Sequence, residues 1–236
     1  MPKLFRVFFT GMIISFLGSL PLGTLNIAAM QLAVSDGVEK ALYFAVGCLT
    51  TEVVYVRISL IGMDWIRRQH KLFLILEWLT LLIVLILAVA SFYTALHPTL
   101  QKNPVLSSTV PPFLIGIMMS AVNPMQIPFW FGWSTVLFTK GVLIPENRYY
   151  NLYIMGIGLG TFLGSSVFIF SGKLIAETIN GNQMILNLVI GAIFTITAVI
   201  QLWKILQKKD AEHQLEHPEE NRRKFEHQLQ EIEKKI

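Results

Sequence analysis

The chain has 236 residues, 53% of them hydrophobic and only 14% charged, with a formal net charge of +4 and a mean hydropathy of +0.57. Soluble domains carry about a quarter charged residues, so the composition excludes an ordinary soluble fold and points to a polytopic membrane protein. The basic excess does not indicate a nucleic-acid partner, because Lys and Arg in such a chain mark its cytoplasmic loops, and the lone Cys48 excludes an internal disulfide.

Six apolar stretches reach across roughly 30 Å of hydrocarbon at about 1.5 Å per residue. They run near 7–33, 40–62, 73–96, 113–138, 150–172 and 184–206. Residues 1–206 are therefore expected to form one all-α domain of six transmembrane helices, followed by a polar, charged cytoplasmic tail over 207–236. Lys3 and Arg6 before an apolar run imitate a signal peptide. The run continues through Pro21 to Val34 with no clear cleavage site, so it reads as a retained first span.

The first span is interrupted by Gly18-Ser19-Leu20-Pro21-Leu22-Gly23-Thr24-Leu25-Asn26. Pro21 cannot donate to the carbonyl of Leu17, so an acceptor is freed at the break. Gly23 lets backbone approach a ligand or a neighbouring helix closely. Asn26 brings an amide that both donates and accepts. In hydrocarbon an unpaired backbone group costs several kcal/mol, so broken helices persist only against protein or a water-filled cavity.

The second span carries Glu52 about halfway along. An acid at that depth must be paired, protonated or hydrated, which makes it a functional candidate for a coupling proton or a substrate amine. The other reading is a neutral acid hydrogen-bonded between helices. Arg57 lies five residues on, so the two point about 140° apart on a helix and do not pair. Arg57 is expected to snorkel to the headgroups, and Glu77 to sit at the interface. The remainder of the third span is nearly featureless Leu, Ile and Val, the best candidate for a lipid-facing helix.

The fourth span is broken again, at Ser120-Ala121-Val122-Asn123-Pro124-Met125-Gln126-Ile127-Pro128. Pro124 frees the carbonyl of Ser120, and Pro128 is expected to open a second point in the same helix. Asn123, Gln126 and, from the first half, Gln31 add amides near the two breaks. Matching breaks in two halves of a chain are the best sequence-level pointer to a transporter's binding site. Gly11, Ser15, Ser19 and Gly23, and then Gly156, Gly160 and Gly164, recur at four-residue spacing, which signals close helix contact.

Loop charges set the orientation. Lys3, Arg6, Arg67, Arg68, Lys71, Lys140 and Arg148 fall on one side of the six-span plan, against Lys40, Lys102 and Lys173 on the other. Both termini are thus expected in the cytoplasm. Pro21 precedes Asp36-Gly37 by about the interval that separates Pro124 from Lys140-Gly141. With three spans per half, such a repeat must be inverted. No phosphate-binding glycine loop and no nucleophile–histidine–acid grouping is visible, so no enzyme activity and no cofactor are expected. His213 and His217 in the tail lack partners at metal-binding spacing, and no metal site is expected.

These motifs resemble the LysE/RhtB family of bacterial amino-acid exporters. The resemblance covers about residues 8–206. Pro21-Leu22-Gly23-Thr24-Leu25-Asn26 is similar to the family's Pro-Gly-Pro-Asn-like break, without its second proline. Thr51-Glu52 after Gly47 looks like its Gly-Asp step with a longer acid. Val122-Asn123-Pro124-Met125 resembles its Leu-Asn-Pro-Lys-like break, with methionine for the usual lysine. The resemblance implies an inner-membrane secondary transporter exporting amino acids or similar small zwitterions, with Pro21, Asn26, Glu52, Asn123 and Pro124 at the motif positions. The fifth span lacks an acid, so the departures bear on substrate and coupling. Membrane lipid is the expected environment, and a homodimer is compatible with the sequence. Two alternatives stand beside this reading: a membrane scaffold recruiting a partner through the tail, and an exporter of another solute such as a metal ion. The second is weakened by the lack of clustered His, Cys or carboxylates in the spans.

Overall fold

A backbone in hydrocarbon must satisfy its own hydrogen bonds, and the apolar stretches do so as helices. The structure, a computed structural model, describes residues 3–21, 23–61, 70–97, 106, 109–123, 125–178 and 183–207. Among them are eight helices: α1 (Lys3–Ser19), α2 (Thr24–Ser35), α3 (Val38–Ile61), α4 (His70–Leu96), α5 (Pro112–Ala121), α6 (Gln126–Thr139), α7 (Asn147–Thr178) and α8 (Gln183–Leu206). No strand occurs among the described residues.

Four helices are individually long and apolar enough to cross a membrane: Val38–Ile61, Ile75–Leu96, Asn147–Leu174 and Met184–Leu206. The other four form two bent pairs. α1 and α2 meet at 74°, and α5 and α6 at 68°. Counting each pair as one span gives six crossings, a polytopic all-helical fold as the composition requires. Each pair ends at a glycine with positive φ, Gly37 at 96° and Gly141 at 64°, a conformation that a side chain would strain. Pro124 and the tail from 208 onward lie outside the described residues.

The two halves make the same contacts in exchange. α1 lies along α7, and α5 lies along α3. α2 packs on α7 as α6 packs on α3, while α3 meets α7 and α4 meets α8 across the middle. The correspondence extends to single atoms. A Cβ placed at Gly47 would stand 2.1 Å from the carbonyl oxygen of Phe113, and one at Gly156 would stand 2.1 Å from that of Phe8. Gly116 faces the Phe44 carbonyl in the way that Gly11 faces that of Tyr153. These glycines build two backbone-to-backbone seams, each joining a helix of the first half to a helix of the second. With three spans per half, this exchange turns the second half over relative to the first.

Apolar side chains of the described residues fill two large clusters, one around Phe44, Leu87 and Phe194, the other around Trp130, Trp133 and Tyr153, and a small third one at Ile127 and Phe131. Ile75, Leu82, Val89 and their neighbours on α4 are exposed, as a lipid-facing helix demands. The expectation for Glu77 fails, however. It lies on the opposite face of α4 and is only 3% exposed. Arg57 also bonds to a neighbouring helix. Its guanidinium donates to Asn147 Oδ1 at 3.0 Å and Asn151 Oδ1 at 3.1 Å and lies over the Tyr150 ring, tying α3 to the start of α7.

Candidate transport site

A cavity of about 560 Å³ opens where the two bent pairs meet α3, α4, α7 and α8. Pro21, Gly23, Asn26, Glu52, Asn123 and Gln126 all line it, although the chain separates the first from the last by three spans. Pro124 lies outside the described residues. Gln31 is not part of this lining. It is buried, and its Nε2 donates to Ser91 at 3.0 Å and Asn187 at 3.2 Å, joining α2 to α4 and α8.

Side chains engage three of the carbonyls at the breaks. Asn26 Nδ2 donates to Ser19 O, closing the end of α1. Across the other break, Tyr55 donates from α3 to Ala121 O, and Thr80 from α4 to Val122 O. The Ser120 carbonyl takes the backbone N–H of Asn123 at 3.1 Å. Asn123 Oδ1 accepts from Met125 N at 3.3 Å, so this amide too serves the turn. Pro128 opens nothing further. It falls in the first turn of α6, where no N–H is needed. Gly23 has ordinary extended dihedrals (φ −112°, ψ 158°), and a Cβ there would meet only Pro21 O, at 3.8 Å. The space beside it belongs to the cavity, not to a neighbouring helix.

Glu52 projects from α3 into this cavity. Its carboxylate lies against Thr161 on α7 and Trp130 on α6. Its Oε2 is buried without a partner among the described residues. Thr161 is in turn hydrogen-bonded to Ser15 on α1. Gln126 Nε2 donates to Ser120 Oγ at 2.9 Å, and Ser120 donates to Cys48 O at 3.1 Å. Gln126 Oε1 is left buried and unpartnered. Carboxylate and amide therefore present open acceptors to the same cavity.

Sequence reasoning missed several of these groups. Ser15 lies in the small-residue stripe and was counted there as packing; Thr161 directly follows one of the spaced glycines. Nothing in the sequence singles out Trp130. Glu77, Thr80, Gln201 and Lys204 line the cavity from α4 and α8, a side for which the sequence offered only an isolated acid.

Broken helices in an internal repeat, meeting at a cavity that holds an acid and several amides inside an apolar bundle, define a membrane transporter. A family model described as LysE type translocator matches residues 16–204. The chain belongs to the LysE type translocator family. Comparison with curated proteins and with solved structures finds no match.

Proposed function

We propose that the protein exports amino acids or similar small zwitterionic metabolites across the bacterial inner membrane, with both termini cytoplasmic and Glu52 carrying the coupling proton. The observation that carries this reading is the carboxylate of Glu52, which lines the cavity with one oxygen unpartnered. A buried acid with open coordination can hold a proton, or release it and attract an ammonium group. Membership of the translocator family supports transport, and the motif positions Pro21, Gly23, Asn26, Asn123, Gln126 and Pro124 complete the proposed site. Alternating access would move one half against the other about the cavity, with residues 1–206 as the transport domain and the tail outside it.

Efflux from proteoliposomes under an imposed pH gradient, screened over the proteinogenic amino acids, tests the proposal. Glu52→Gln is expected to lower gradient-driven efflux by roughly tenfold or more, about 1.4 kcal/mol in the barrier for each factor of ten. Unchanged gradient-driven efflux in that variant removes Glu52 from the mechanism. If no amino acid is carried by the unaltered protein, the substrate assignment fails.

A further inference from the structure

α2 and α6 hold equivalent places in the two halves, but they are not equally seated. α2 packs against α7 and also against α3, α8 and α5, whereas among the described residues the main backbone packing of α6 is against α3 alone. The cavity follows this difference. Counting each bent pair as one crossing, α1 begins and α8 ends at the same face of the bundle, here the terminal face. Towards that face the cavity is lined by Glu77 and Thr80 near the start of α4 and by Gln201 and Lys204 near the end of α8. Lys204 is exposed, so the cavity reaches the surface there.

At the other end of the same two helices the way is shut. Gln31 of α2 donates to Ser91 on α4 at 3.0 Å and to Asn187 on α8 at 3.2 Å. Gln31, Leu32, Ser91, Asn187, Ile190 and Phe194 are each 5% exposed or less, and none of them lines the cavity. They form a closed layer between the cavity and the opposite face.

The kind of contact matters. The glycine seams join α1 to α7 and α3 to α5 backbone against backbone. The layer at Gln31 instead turns on an amide whose burial is offset by hydrogen bonds to two other helices. Interhelical hydrogen bonds in lipid are individually weak, so this contact can break and re-form while the seams hold.

We propose that Gln31, Ser91 and Asn187 form the gate on the opposite face, closed in this structure, while the cavity stands open to the terminal face. This rests on the transport reading of the cavity. Opening the gate would lift α2 from α4 and α8. The matching step on the terminal face would bring α6 onto the stretch of α4 and α8 that holds Glu77, Thr80, Gln201 and Lys204. Gln31 is thus a positioning residue: it sets which face the cavity meets and does not touch what the cavity holds.

The test reads access to the cavity from each face. Cys48→Ala supplies a cysteine-free chain, and Thr197→Cys places one thiol on the cavity wall. A charged, membrane-impermeant methanethiosulfonate reagent is added to spheroplasts, which expose one face, or to inverted vesicles, which expose the other. Protease cleavage of the tail identifies the terminal face. Residue 197 is expected to react from that face at least about tenfold faster than from the opposite one. Gln31→Ala should raise the opposite-face rate at least about tenfold. Such a rise from a minor population leaves the dominant state nearly whole, so KM moves little. Equal rates from the two faces before Gln31 is changed, or no rise after it, overturns the gate. The thiol of Ile157→Cys, at a core position of 0% exposure, should stay unlabelled from both faces with or without Gln31→Ala. Labelling there reports a loosened bundle and equally sinks the proposal. The labelling needs no substrate. The expected pattern with no amino-acid efflux therefore fails the export reading alone, and normal efflux without the pattern fails the gate alone.

Discussion

Asn26 and Ser19 stand on opposite sides of the first helix break, and the amide of one donates to the carbonyl of the other. The last turn of α1 is thereby satisfied by the first turn of α2, which lets the chain bend by 74° inside an apolar bundle. Tyr55 performs the same service for Ala121 at the second break, but reaches there from a different helix.

Removing the Asn26 amide should therefore act first on stability. Asn26→Ala leaves the Ser19 carbonyl without its donor, a loss of about 1–3 kcal/mol for a buried polar group. Thermal or detergent-induced unfolding of the purified protein reads this directly. An unaltered unfolding midpoint would count against the role of Asn26 as a closure.

The glycine seams give a sharper contrast. Gly156→Ala and Gly47→Ala each place a Cβ 2.1 Å from a backbone oxygen of the facing helix, so the helices must separate. Overpacking of this kind costs about 1–3 kcal/mol or more. At Gly158 the nearest atom is Leu49 Cδ2 at 3.5 Å, an ordinary contact, and alanine should be tolerated. Monodisperse yield on size-exclusion chromatography should fall for the first two variants and hold for the third.

The two glutamines should separate function from folding. Gln126 lines the cavity with an open acceptor, so Gln126→Ala should raise KM while the folded yield changes little. Gln31 bridges Ser91 and Asn187 away from the cavity, so Gln31→Ala should lower stability and leave KM near its starting value. The reverse pattern would reverse the assignment.

Arg57 makes its contacts with Asn147, Asn151 and Tyr150 rather than with Glu52. Arg57→Lys cannot reproduce two divergent guanidinium bonds. It should cost roughly 1 kcal/mol of stability, with the pH dependence of efflux unchanged. A changed pH profile would mean that Arg57 communicates with Glu52 after all.

Deleting residues 207–236 removes the charged tail and leaves every cavity residue in place. Most of the flux should survive in proteoliposomes. Loss of flux with intact folding would draw the tail into the mechanism.

Much of the fold is legible in the chain because lipid simplifies the problem. Apolar runs of span length have one way to satisfy their backbone, and prolines with neighbouring asparagines mark where that solution is interrupted. Glu52 also stands out unaided, since an acid is conspicuous among Val, Leu and Tyr. The glycine spacing correctly signals close contact, while which helix lies opposite each stripe depends on residues a hundred positions away. The role of Asn123 is hidden for a related reason. An amide beside a proline can face a substrate or fold back on its own turn, and both look alike in one dimension. Glu77 misleads because charge near a span end suggests the interface until the neighbouring helix surfaces are known.

The sequence by itself determines the class of the protein, the six apolar stretches, the two breaks and the buried acid, because composition and periodicity are local properties. The tertiary structure alone decides that the breaks face one cavity and that Thr161 and Trp130 meet Glu52. It alone shows that Asn26, Tyr55 and Thr80 close the carbonyls of Ser19, Ala121 and Val122. Those outcomes depend on which donor from another helix reaches which acceptor. Such pairings arise only when helices from both halves come within hydrogen-bonding distance.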